Sequence, residues 1–113
     1  MSRPNPLINT SVTFRHTEST EALKSYASEK VKSRFERFIS GEANVHIILS
    51  VEKRDHTAEV IFHTRGHDHS CKATTSDLYS AIDKAVDMVS TQLRKEKERM
   101  QSHRHVQVTV ADA

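Results

Sequence analysis

The chain has one cysteine, no tryptophan, two glycines and two prolines among its 113 residues. Each shortage excludes something. A lone cysteine, Cys71, cannot form an intramolecular disulfide, which fits a reducing compartment. Gly41 and Gly66 stand too far apart to build a glycine loop that cradles phosphate. Pro4 and Pro6 both fall in the first six residues of the opening MSRPNPLINTS, and those six read as a frayed start, so no proline interrupts a later element. That opening also lacks the apolar core of a secretion signal. No run of about 18 apolar residues occurs, so no helix of this sequence can span a membrane. There is no internal repeat and no low-complexity tract. Hydrophobic residues amount to only 35%, against 28% charged, so one modest core under a heavily solvated surface is expected. The chain reads as one cytoplasmic domain.

What the sequence does have is periodicity. From Leu7 to Arg15, Ile8, Thr10, Val12 and Phe14 alternate, which is strand spacing. In HTESTEALKSYASEKVKSRFERFIS the period changes: Leu23, Ala27, Val31, Phe35 and Phe38 recur every three or four residues, a helical stripe. Thr17 or Ser19 is placed to cap its start and Gly41 to stop it. Three strands follow. The first carries Val45, Ile47, Leu49 and Val51, and a turn at Arg54 to His56 leads to the second, with Ala58, Val60 and Phe62. Beyond Gly66, HDHSCKATT is a weaker strand with Cys71 and Ala73 inward. Ser76 or Asp77 caps a long last helix, and the tail HVQVTVADA is expected to be disordered. The predicted class is α+β in the order β-α-β-β-β-α: a four-stranded, mainly antiparallel sheet with both helices on one face and a right-handed first crossover. The predicted domain spans 1–104, with 105–113 as a tail.

The last helix concentrates charge. SDLYSAIDKAVDMVSTQLRKEKER opens with acids and closes with bases. On a wheel of about 100° per residue, Tyr79, Ile82, Val86, Val89, Leu93 and Met100 share one sector. Lys84, Lys95 and Arg99 lie roughly opposite, with Met88 and Thr91 between them, and Asp83, Asp87 and Glu98 form a neighbouring strip. Between Arg94 and Arg104 there are five bases against two acids. In the first helix Lys30 and Arg37 share a strip, with Arg34 nearby. If the helices lie side by side, these strips border one groove that can hold phosphates by Coulomb attraction and counterion release. The same pattern also serves an ordinary solvated face, with bases complementing a helix C-terminus.

Other chemistry is poorly served. His63, His67, His69 and Cys71 are possible zinc ligands, but no paired Cys-x-x-Cys spacing accompanies them, and no metal is expected. Cys71 reads as a small buried thiol with no oriented base beside it. Asp83 and Asp87 share a helix face as exposed acids commonly do. Tyr79 can stack on a base, or pack at the helix start. No catalytic site and no cofactor are expected.

SVEKRDHTAEVIFH (Ser50 to His63) and DLYSAIDKAVDMVSTQLRKEKER (Asp77 to Arg99) resemble the ribosome hibernation-promoting factors, also called ribosome-associated inhibitor or sigma-54 modulation proteins. Asp77, Tyr79, Ala81, Ile82 and Asp83, and then Gln92 to Lys95, are the most specific matches. The resemblance runs from about Leu7 to Arg99. It implies a fold similar to a double-stranded-RNA-binding domain, with two near-parallel helices on one face of the sheet. It implies a non-catalytic factor that binds the small ribosomal subunit and the 70S ribosome through 16S rRNA. In that reading it occupies the channel for messenger RNA and tRNA and inhibits translation under stress or in stationary phase. By position, the family's basic rRNA contacts fall on Lys30 and Arg37 in the first helix and on Lys95 and Arg99 in the last; Arg34, Lys84 and Arg94 join the expected contacts as neighbouring bases. Met88 and Thr91 stand where close relatives often carry a base. The length is that of a short member, for which a separate ribosome-dimerising factor is a possible collaborator. The alternative reading is a protein-interaction or metal-responsive module of the same fold.

Overall fold

The computed structural model describes residues 7–39, 41–64 and 67–112, with side chains up to residue 98 apart from those of 64 and 67. The elements are β1 (Leu7–Arg15), α1 (Glu21–Phe38), β2 (Glu42–Glu52), β3 (Asp55–Thr64), β4 (His67–Thr75) and α2 (Leu78–Asp112). The class and element order are those expected. The sheet order is β1-β2-β3-β4, so chain neighbours are sheet neighbours throughout. β1 pairs parallel with β2, and α1 is the connection this requires; the other pairs are antiparallel.

Alternation along each strand decides its two faces. Ile8, Ala43, Val45, Ile47, Leu49, Ala58, Val60, Phe62, Cys71 and Ala73 point inward and are buried. Burying each larger aliphatic or aromatic side chain contributes about 1.5–3 kcal/mol. Ala27, Val31 and Phe35 come down from α1, and Leu78, Ala81, Ile82, Ala85, Val86, Val89 and Leu93 from α2. The ring of Phe35 meets Phe62 edge to face, with centroids 5.0 Å apart, joining α1 to the middle of the sheet. Among the described residues no helix covers the other sheet face. Its side chains are mostly polar, among them Asn9, Ser11, His46, Glu59 and Lys72.

Several boundaries differ from expectation. Thr20, rather than Thr17 or Ser19, caps α1: its backbone is extended and its hydroxyl accepts from the Leu23 N–H. The helix ends at Ile39, whose N–H reaches the Phe35 carbonyl, so Gly41 is not its stop. The β2–β3 turn is Lys53–Arg54, because the register closes Glu52 on Asp55. Lys53 takes φ 57° there, a left-handed conformation that glycine or asparagine usually signals, so no residue type marks this turn in advance. At α2 the cap is Asp77, whose carboxylate accepts from the Ser80 N–H and hydroxyl. Those bonds favour the charged form, led by the Ser80 N–H, and hold its pKa below the usual carboxylate range. The buried stripe of α2 starts with Leu78, while Tyr79 is 43% exposed. Helical backbone continues through the tail to Asp112, so no end of secondary structure marks position 104. The expected turn at Gly66 and the side chain of Met100 lie outside the described residues.

Candidate nucleic-acid interface

The two helices meet through three polar side chains. Lys30 on α1 places Nζ 2.8 Å from Asp83 Oδ1 on α2. Tyr26, one turn earlier on α1, donates its hydroxyl to the same oxygen at 2.6 Å. The ammonium also sits 5.4 Å from the Tyr26 ring centroid. Each partner favours the other's charged form. Hydrogen bonding from Lys30, then from Tyr26, holds the Asp83 carboxyl below the usual range. The Asp83 carboxylate pushes the Lys30 ammonium up, and it also raises the Tyr26 phenol by accepting a hydrogen bond from the neutral hydroxyl. Arg34 adds a favourable charge near Asp83. Tyr26, Glu29, Lys30, Ser33 and Arg34 line an open groove of about 260 Å³.

The seven predicted contact residues therefore divide. Lys30 and Arg34 line this groove, and Arg37 lies two turns beyond Lys30 on the same side of α1, exposed. On α2, Arg94 follows Asp83 by three turns, so it continues the strip that faces α1, and it is exposed. Lys84 and Lys95 are exposed but sit about 100° further round α2 than Asp83 and Arg94. They share that outer strip with exposed Met88 and half-buried Thr91. The expected single groove with Lys84 and Lys95 along one wall does not form. The residue that meets Lys30 is Asp83, which the wheel placed on a neighbouring strip. Lys84 and Lys95 instead form a second basic strip on the solvent side. Arg99 falls one turn beyond Lys95 on the helix backbone, and its side chain lies outside the described residues.

Sequence reasoning missed Tyr26 and the role of Asp83. An acid on a helix face looks the same whether it meets water or a neighbouring helix. The available signal was Tyr26 and Lys30 spaced i,i+4 on α1, which makes a side for a partner to meet.

The histidine cluster is dispersed. His63 is on the open sheet face, 2.6 Å from Asp68. His69 and Cys71 point the other way, towards α2. His69 is turned inward: it stacks on Phe62 at 4.9 Å and pairs through Nε2 with Glu96, which α2 brings down as its one buried acid among the described residues. Gln92 reaches the other ring nitrogen at 3.4 Å. Among the described residues no three His, Cys, Asp or Glu side chains gather as a metal site would require. Burial pushes the Cys71 thiol up, away from the nucleophilic thiolate.

Comparison with known proteins gives one consistent answer. The family model described as sigma 54 modulation protein / S30EA ribosomal protein matches residues 10–101. The ribosome hibernation promoting factor of Escherichia coli is 32% identical over 92 residues, which are 81% of this chain and 96% of that protein. The factor of the same name from Pseudomonas putida is 34% identical over 91 residues, 80% of this chain and 88% of that protein. Among solved structures, the N-terminal domain of Thermus thermophilus protein Y superposes with a TM-score of 0.71 at 30% identity, covering 79% of this chain and 97% of that one. A ribosomal subunit interface protein from Coxiella burnetii gives a TM-score of 0.70 at 23% identity, covering 80% and 98%, and speaks for the fold alone.

Proposed function

The chain belongs to the sigma 54 modulation protein / S30EA ribosomal protein family, and from that premise we propose that it is a ribosome hibernation factor. It binds the small ribosomal subunit and the 70S ribosome through 16S rRNA, in the channel for messenger RNA and tRNA. It thereby inhibits translation under stress or in stationary phase, as a cytoplasmic protein that carries out no reaction. The observation that carries this reading is the match, across 81% of the chain, to a relative named for ribosome hibernation.

The helix layer supplies suitable chemistry. Arg37, Lys84, Arg94 and Lys95 are exposed cations on its surface, and Lys30 and Arg34 line the groove along α1. Phosphate groups bind such residues with a free energy dominated by counterion release, so affinity falls steeply with salt. Ribosomal domain 1–104 and tail 105–113 remain the proposed division, with a separate ribosome-dimerising factor as a further candidate partner.

The test is sedimentation of the purified protein with ribosomes and isolated subunits through sucrose gradients at low and moderate salt. Comigration with small subunits and 70S particles, weakening as salt rises, supports the proposal. Absence from every ribosomal fraction at low salt would leave the family with only the fold to offer.

A further inference from the structure

Tyr79 is the one large aromatic ring left substantially exposed among the described residues, at 43%. It stands in the first turn of α2, and its ring is not loose. Tyr26 meets it edge to face, with centroids 4.9 Å apart and planes at 71°. Tyr26 is itself fixed, because its hydroxyl is bound to Asp83 at 2.6 Å and Asp83 is bound to Lys30 at 2.8 Å. A chain of contacts thus runs from a half-exposed ion pair to an exposed ring. Beside Tyr26 the groove continues along Lys30, Ser33 and Arg34.

We propose that Tyr79 is a stacking platform for one unpaired RNA base, with Arg34 and Lys30 taking the adjoining phosphates; the inference rests on the ribosome-binding reading above. The physical case has three parts. An exposed aromatic face held rigidly stacks on a base with little further loss of side-chain freedom. Single-stranded RNA is characteristically held by such stacking next to basic side chains. Asp83 and the Tyr26 hydroxyl engage the Lys30 ammonium, which has three donors, and leave one for a phosphate. Glu29 also lines the groove, so a phosphate must sit on its Arg34 side. The net charge of the cluster is close to zero, which makes stacking, not bulk attraction, the selective element. Tyr79 differs in this from the basic contacts already described: its contribution is insensitive to salt.

The experiment measures binding of the full chain to isolated small subunits over a salt series. Three variants are compared with the parent: Tyr79→Leu, Tyr79→Phe and Arg34→Ala. Leucine keeps apolar bulk and removes the π-face. Tyr79→Leu is expected to weaken binding about tenfold to a hundredfold at every salt concentration, with the salt slope unchanged. Tyr79→Phe is expected to bind as the parent does. Arg34→Ala is expected to reduce the slope by about one unit. Thermal melting of each variant establishes that it is folded. Zero-length ultraviolet crosslinking with mass spectrometry is expected to find a nucleotide on Tyr79. If the parent binds and the leucine variant binds equally, with no adduct on Tyr79, the platform is wrong and the ribosome reading stands. If the parent does not bind small subunits at all, both fall together.

Discussion

Lys30 and Asp83 lie on different helices, 53 residues apart in sequence, and their charged atoms are 2.8 Å apart. Their side chains are 37% and 45% exposed, so water screens the pair. Its worth is that of a surface pair, up to about 1 kcal/mol.

The pair makes stability depend on pH at both ends. The Asp83 pKa is lowered on folding, first by Lys30 and then by Tyr26. Its contribution is therefore present above the unfolded pKa, near 3.8, and is lost as pH falls through the lower folded value. The Lys30 pKa is raised, chiefly by Asp83, so its contribution is present below 10.5 and is lost as pH rises through the higher folded value. Asp83→Asn is expected to remove this acid-side loss. A double-mutant cycle with Lys30→Met, read by urea unfolding at neutral pH, is expected to give a coupling of about 0.2–1 kcal/mol. A coupling of zero would mean that the contact does not tie the helices together in solution.

Charge reversal on the outer strip bears on the ribosome. Lys95→Glu combined with Arg99→Glu is expected to weaken cosedimentation with small subunits and to lower the salt slope by about two units. Lys95 is exposed and Arg99 follows the last buried position among the described residues of α2, so melting should hardly change. Normal cosedimentation of this variant at moderate salt would remove the outer strip from the interface.

Phe35 is wholly buried and meets Phe62 edge to face. Phe35→Ala is expected to destabilise the domain by about 3–5 kcal/mol, measured by urea unfolding. A loss below about 1 kcal/mol would show that α1 does not seat on the sheet through this ring.

Cys71 is buried under α2, and burial raises its pKa. In the folded protein the thiol is expected to react slowly with an alkylating reagent at neutral pH, and rapidly once denaturant unfolds the chain. Fast labelling under native conditions would mean that β4 opens readily beneath the helix.

The α+β class, the element order and the inward residues of all four strands were determined by the sequence itself. The reason is local: a period of two or of 3.6 is written into neighbouring residues, and burial of one face follows from it. Phe62, Val60 and Cys71 could each be assigned inward without knowing what covers them. The cations of the proposed interface were also legible, since Lys30, Arg34, Lys84 and Lys95 are picked out by charge and spacing. Only the tertiary structure decided which of those strips meet. A helical wheel gives angles about its own axis and carries no information on how far a second helix is rolled towards it. That roll, fixed by Val31 and Phe35 in α1 and by Ile82 and Val86 in α2, turns Asp83 rather than Lys84 towards Lys30. It also buries Glu96 against His69 and leaves Tyr79 outside the core. Pairings between residues distant in sequence depend on packing of the whole layer, and there the local pattern is silent.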